Sequence, residues 1–192
     1  MGTPTLLDRD ELLAAWHRLT PKAELAGWHR YELDELGEAV LNPFPSARRQ
    51  IVLTDAYCQL TEQMGHLAVM SAAVVTPSFG IRVPDVVWMP AEKWDQFDRD
   101  EPVPFVPDLC IEVLIDRDPR QDLSRRVRAY LEGGSAEVIV VGQCGQVEFW
   151  GVRGLRQASV FGITLSFDQM YFDPVATRNP SSQSEFNPLA AK

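Results

Sequence analysis

A mixed α/β (α+β) fold, one sheet flanked by helices, is what this 192-residue sequence predicts. Three observations carry that prediction. Residues 46–65 and 119–133 repeat their apolar positions every three to four residues, as helices do. Residues 66–76, 83–89 and 109–115 are rich in Val, Ile, Leu and Ala between Pro, Gly or Asp, as strands are. Finally, Glu137–Val141 is almost continuously apolar directly after the second helix, the pattern of a strand with both faces covered.

Each element has a local justification. Leu6, Leu7, Leu12, Leu13, Trp16 and Leu19 lie near helical spacing, with Asp8 or Asp10 as cap and Pro21 as stop, so a helix is predicted over about 8–19. Trp28 to Leu33 and Glu38 to Asn42, joined by Asp34-Glu35-Leu36-Gly37, read as a hairpin. Ser46 caps the next helix, whose stripe is Ile51, Val52, Ala56, Leu60 and Met64, and Gly65 is placed to end it. A short helix is expected at Pro90 to Phe97. Pro119 opens a strong helix that ends at Gly133 and Gly134, with Leu123, Val127, Tyr130 and Leu131 as its buried stripe. Val147 to Gly151 returns as a further strand. From residue 46 the order is helix, three strands, helix, strand, and the last crossover should be right-handed and parallel.

The organisation expected is an N-terminal helix and hairpin (1–45) packed on a core with appended strands (46–173), a single domain overall, then a polar tail (174–192) expected to be disordered. Cys58, Cys110 and Cys144 are odd in number and far apart, without a Cys-x-x-Cys pair, which argues against a disulfide framework and a structural zinc and for a reducing, cytoplasmic setting. No run of about 18 apolar residues exists, so no membrane span is expected. With 27 acids against 18 bases and a net charge of -9, the chain lacks the overall positive charge of most nucleic-acid binders.

Two carboxylates stand out. Asp85 follows Pro84 near the start of a strand, and Glu112 lies inside one, sharing a face with Cys110 and Leu114. An acid in an apolar strand is costly unless paired, protonated or bound to a cation. If the two strands are neighbours, both acids can converge on one divalent ion; alternatively each is solvated at a strand end or paired with an arginine. At 100° per residue, Arg126 borders the apolar stripe of its helix while Arg125 and Arg128 point away, so Arg126 is the one aimed at the sheet, unless its stem merely covers apolar surface. A shared site requires Asp85, Glu112 and Arg126 to face one cleft.

Tyr31-Glu32-Leu33 with Gly37-Glu38, Arg82-Val-Pro-Asp85-Val, Pro107-Asp-Leu-Cys-Ile-Glu112-Val-Leu, and Asp122-Leu with Arg126 and Tyr130-Leu-Glu-Gly-Gly together resemble the Uma-two putative restriction endonuclease family, a domain of unknown function within the PD-(D/E)XK nuclease superfamily. The resemblance covers about 28–150 and extends through Phe161-Gly-Ile-Thr-Leu and 167–173. It implies a restriction-endonuclease-like core and a Mg²⁺- or Mn²⁺-dependent DNA endonuclease without an organic cofactor. Asp85 and Glu112 are then the metal-binding carboxylates, Arg126 the third catalytic position and Glu32 an accessory acid.

The chain departs from the pattern where it matters. Leu114 stands two after Glu112, where the superfamily places a lysine; family members put that lysine on the following helix, and here the position is Arg126. Ile115-Asp116 replaces a Ser-Pro, Gly142 an aspartate, and a histidine at the start of the core helix is replaced around Arg48. A guanidinium stays charged at every physiological pH, so it can stabilise developing negative charge but cannot serve as a base. Weak hydrolysis or none is expected, and the alternative reading is an inactive endonuclease-fold module for binding or assembly. A homodimer using Trp88, Trp94 and Trp150 is a further possibility, against their packing in the core. Residues 117–130 hold five arginines and two aspartates, a local positive excess beside the expected site.

Overall fold

Asp8 starts the first helix, α1 (Arg9–Leu25), through a reciprocal cap: its carboxylate accepts the Glu11 N–H at 2.9 Å and the Glu11 carboxylate accepts the Asp8 N–H at 2.9 Å. The computed structural model describes residues 6–27, 31–42, 45–65, 68–115 and 123–172. The first residues of the predicted hairpin (28–30), His66, residues 119–122 of the second core helix and the 174–192 tail lie outside these. The helix runs past Pro21 instead of ending before it. Ala23 in the additional turn is buried, and the Thr20 hydroxyl donates to the Trp16 carbonyl while sharing a hydrogen bond with the Tyr31 hydroxyl, so tertiary contacts hold a turn that proline disfavours.

The strands are β1 (Tyr31–Leu33), β2 (Ala39–Leu41), β3 (Ala68–Met70), β4 (Val74–Val75), β5 (Ile81–Arg82), β6 (Val86–Trp88), β7 (Leu109–Val113), β8 (Glu137–Val141), β9 (Val147–Gly151) and β10 (Gly154–Arg156). They form two sheets rather than one: β2-β1-β5-β4 and β10-β9-β8-β7-β6-β3. The predicted strand at 66–76 is cut in two, β3 and β4, while that at 83–89 is represented by β6 alone, with β5 a separate short strand just before it. β3 pairs with β6 and β4 with β5, so this stretch is one long hairpin bent in the middle, with half in each sheet. The bend has two causes. Ser71 adopts a left-handed conformation (φ 55°), and Pro84 has no N–H to continue the ladder.

β7 and β8 are parallel, with Glu112 opposite Val140, and are linked by α4 (Leu123–Glu132), the predicted crossover; all other ladders of the larger sheet are antiparallel. One face of that sheet, with Cys110, Val138 and Val140, packs against Leu123, Val127 and Tyr130 of α4. The other, with Ile111, Val113, Ile139 and Val141, packs against Val52, Leu53 and Leu60 of α2 (Ala47–Met64), which Ser46 caps by accepting the Arg49 N–H at 3.1 Å. Ile51, expected in the stripe of α2, is 45% exposed; the inward position one turn before Leu53 belongs to Arg49, 2% exposed.

The short helix α3 (Ala91–Trp94) lies where expected, and Trp94 and Trp150 belong to the core on the α4 side. Their aromatic surface is therefore spent inside the molecule. No helix among the described residues is long and apolar enough to cross a membrane.

Candidate functional site

The bend between the two sheets gathers the acids that the sequence singles out. Asp85 enters β6 immediately after Pro84. Its N–H donates to the Ile111 carbonyl at 3.0 Å, and its carboxylate accepts the Val113 N–H at 2.7 Å. These bonds fall on either side of Glu112, which the Val86–Ile111 register places across from Asp85. Glu112 points to the α4 face by strand alternation, and there its Oε1 accepts the Tyr130 hydroxyl at 2.7 Å and Arg126 Nη1 at 3.3 Å.

Glu32 arrives from the other sheet. β1 pairs with β5 through Leu33 and Ile81, and this sets Glu32 beside the Val83 N–H, which donates to its Oε1 at 2.7 Å. Arg126 grips Glu32 with both prongs of its fork, Nη1 to Oε1 at 2.8 Å and Nη2 to Oε2 at 2.6 Å, the planar geometry in which arginine and carboxylate bind most strongly. Arg82 adds a longer contact at 3.4 Å, held in place by its Nε donating to the Phe79 carbonyl. Glu32, Glu112 and Arg126 thus meet directly.

Asp85 has a different principal partner. Arg49 Nη2 lies 2.6 Å from each oxygen of its carboxylate, and Arg49 Nε donates to the Val113 carbonyl at 3.3 Å. Arg49 reaches in from α2 on one side of the sheet, whereas Arg126 and Tyr130 reach Glu112 from α4 on the other. All three carboxylates are 0% exposed, and Arg49, Arg82 and Arg126 are 2–3% exposed.

Arg49, Arg82 and Tyr130 are the participants that sequence reasoning missed as site residues. The 49, 52/53, 56, 60 spacing of α2 carries a signal for the first, since it sets an arginine on the inward stripe. Tyr130 reads from its spacing as packing alone. Burial, and then the neighbouring Glu112 charge, push its phenol well above the ordinary range, so it remains a protonated donor. Burial does the same to the Cys110 thiol, with Glu112 adding to the effect, which leaves Cys110 an inert core residue.

Among the described residues of this cluster three carboxylates face three guanidiniums, a formal sum of zero. A divalent ion needs carboxylate oxygens with lone pairs to give and a negative site to enter. Here both oxygens of Glu32 and of Asp85 accept from arginine, and Glu112 Oε1 accepts twice. Among the described residues no group of three or more His, Cys, Asp or Glu could hold a metal ion. The set as arranged does not fit Mg²⁺ or Mn²⁺.

Outside the cluster, Arg125 pairs with Glu35 at 2.7 and 2.8 Å and lies over the Phe79 ring, tying α4 to the turn between β1 and β2. Partial burial pushes the Glu35 carboxyl up, but a backbone hydrogen bond and Arg125 outweigh it and hold it below the usual value. A depressed folded-state value contributes stability above the unfolded one, and the contribution disappears as pH falls through the folded one. The expected result for Glu35→Gln is a loss of under about 1 kcal/mol at pH 7, as for other partly exposed pairs, which fades on acidification. Urea melts of both proteins at pH 7 and pH 3 would measure it; an undiminished difference at pH 3 would contradict the pairing. The acidic loop is likewise paired, Arg99 with Asp95 and His17 with Glu101.

Comparison with known proteins bears on this arrangement. Among solved structures, the chain is similar to a protein from Anabaena variabilis ATCC 29413 described as "a putative nuclease belonging to DUF820", with a TM-score of 0.55 and 14% identity over 73% of this chain and 88% of that one. At that identity the likeness is one of fold, and it bears out the endonuclease-like core with its mixed sheet and flanking helices. No curated protein matches the chain. The family model described as "Putative restriction endonuclease" matches residues 17–183, a span that includes β1, the bent hairpin, β7 and α4. The chain belongs to that family, Uma2.

Proposed function

We propose that this chain is a non-hydrolytic member of its nuclease family, a binding or assembly module in which buried ion pairs stand where phosphodiester chemistry would be done. The observation that carries the reading is the neutral cluster: Glu32, Asp85 and Glu112 each bonded to a guanidinium and each 0% exposed. Hydrolysis needs an activated water and a group to take its proton, or a metal that lowers its pKa. A guanidinium supplies neither, and among the described residues the three guanidiniums offset the carboxylate charge that would draw a divalent ion.

A second reading has one specific observation in its favour. Asp85 and Glu112 stand across from each other on neighbouring strands, so the backbone frame of a two-carboxylate site is kept. In that reading the protein is a Mg²⁺- or Mn²⁺-dependent DNA endonuclease, with Asp85 and Glu112 as metal ligands, Glu32 as an accessory acid and Arg126 stabilising charge on the scissile phosphate. The positive excess of 117–130 gives DNA less help than its sum suggests, because Arg126 is buried in pairs and Arg125 is bound to Glu35.

Plasmid DNA incubated with the protein and Mg²⁺ or Mn²⁺, beside Asp85→Asn and Glu112→Gln, decides between them. Asparagine and glutamine keep an acceptor oxygen, so both variants are better controls than alanine. The expected result is no cleavage above background by any of the three. Cleavage by the native chain that both variants lose would establish the second reading; equal cleavage by all three would be a contaminant.

A further inference from the structure

The stretch after β10 crosses α2 without joining either sheet. Ile163 is 3% exposed, and Phe161, Leu165 and Phe167 pack with it against the core on the α2 side, so alternate side chains of an extended segment point inward. Two glutamines of α2, one turn apart, hold its backbone. Gln63 Nε2 donates to the Thr164 carbonyl at 2.8 Å and Gln63 Oε1 accepts the Thr164 N–H at 2.9 Å; Gln59 does the same to Ser166, at 2.7 and 3.0 Å. Each amide thus pairs with one residue of backbone as a neighbouring strand would. The helix itself aims both amides, because Gln59 Nε2 also donates to the Asp55 carboxylate at 3.0 Å and Gln63 Nε2 to the Gln59 carbonyl at 3.0 Å. The reader is therefore preorganised by α2 and not by what it holds, which lowers the cost of binding.

The root of the segment is fixed differently. Glu137, buried in β8, accepts the Ser159 hydroxyl at 2.6 Å and the Val160 N–H at 2.8 Å, which ties the chain to its own sheet as far as residue 160. Beyond that tie comes Gly162, with φ +72° and open space around the place of a Cβ. Past Gly162 the four bonds to the glutamines are exposed to water, so the segment can leave at low cost. Val152, Leu155 and Val160, which flank the root, are exposed, and β10 is an edge strand of the larger sheet.

We propose that Gln59 and Gln63 form a backbone-reading peptide site whose ligand is segment 163–172 of this chain, and that two copies exchange that segment about Gly162, each α2 holding the other's. The ligand that fits the site is carried by every copy, and exchange preserves its contacts, so the hinge and any newly covered surface decide between one copy and two. The surface favours two. Two β10 edges paired antiparallel about Leu155 would bring the exposed leucines together and set Arg156 opposite Gly154 of the partner subunit, so that no like charges face each other. The site stands apart from the buried ion pairs, since Arg49 lies on the first turn of α2 and Gln59 and Gln63 on its last two. The proposal therefore holds or fails whatever the acids do to DNA.

Two sedimentation experiments test it. Gly162→Val disfavours the left-handed hinge of the closed copy and leaves extended backbone open to it. The expected result is a native chain that dimerises reversibly as its concentration rises, and a dissociation constant about 30- to 1,000-fold lower in Gly162→Val, because two hinges are relieved per dimer. The second experiment is complementation. Thr164→Pro/Ser166→Pro removes both N–H groups that the glutamines accept, Gln59→Ala/Gln63→Ala removes the reader, and none of the four positions is buried. Each double variant alone should be monomeric, and an equimolar mixture should give a one-to-one heterodimer in which the first variant's α2 holds the second variant's segment.

A mixture that stays monomeric overturns the proposal, and so does a Gly162→Val chain no more dimeric than the native one. A dimer that persists in either double variant alone uses another surface and overturns it as well. Where a variant fails to fold, the other experiment decides.

Discussion

Arg126→Ala is expected to cost about 3–5 kcal/mol of stability, the range for removing one partner of a buried ion pair. The loss is large because the fork does two jobs. It neutralises Glu32 with two short bonds and adds a third to Glu112. Without it Glu32 keeps the Val83 N–H and the longer Arg82 contact, and Glu112 keeps Tyr130, so two carboxylates inside the molecule lose the cation that bridges them. Arg126→Lys should cost less, about 1–3 kcal/mol, because the charge stays and the bidentate geometry goes. For a chain of this size each kcal/mol moves the melting temperature by about 2–4 °C, which puts the alanine variant roughly 6–20 °C below the native protein. Combining Arg126→Met with Glu32→Gln should recover part of the loss, since replacing both partners avoids the uncompensated charge. A drop of less than about 1 kcal/mol for Arg126→Ala would mean that the pair is solvated, at odds with its burial.

That Arg126 faces the sheet was legible from helical geometry alone, because the apolar stripe of α4 fixes its phase. The parallel β7–α4–β8 unit was legible for a similar reason: a continuous apolar strand after a strong helix admits few other arrangements. Arg49 was not legible in the same way. Its position on the α2 stripe reads equally well as an arginine whose stem covers apolar surface; only the approach of Asp85, 36 residues away, turns it into a buried ion. The place of Glu32 was less accessible still. It depends on a second sheet that exists because the hairpin bends at Ser71 and Pro84, and the backbone reversal at a serine carries no pattern that periodicity can detect. Local signals therefore located the acids, while long-range pairing decided which cations meet them.

Gly80→Ala is expected to have the next largest effect, about 2–5 kcal/mol, by acting on that long-range pairing. Gly80 has φ +80°, and a Cβ there would lie 2.1 Å from the Leu33 carbonyl oxygen and 2.4 Å from the Asp34 carbonyl. The left-handed conformation costs an alanine roughly 1–2 kcal/mol, and the clash adds about 1–3 kcal/mol because the atoms it meets are backbone, with no rotamer to change. Relief requires β5 to move off β1 at the Leu33–Ile81 pair, while the Gly80 carbonyl is held by the Thr76 N–H at 2.9 Å and the Thr76 hydroxyl at 2.8 Å. That same pair sets Glu32 against the Val83 N–H, so strain at Gly80 is transmitted to the ion pairs. Gly162→Ala separates the two contributions: Gly162 has φ +72°, but a Cβ there would meet nothing within 4 Å, so it should lose only the conformational part. Denaturant melts of both variants give the clash as their difference. Gly80→Ala should also be less than additive with Glu32→Gln, because moving β5 already weakens the bonds that Glu32 makes. Equal losses for the two glycines would mean that β1 and β5 are not in register at Leu33, and the cluster that joins the two sheets would lose its geometric basis.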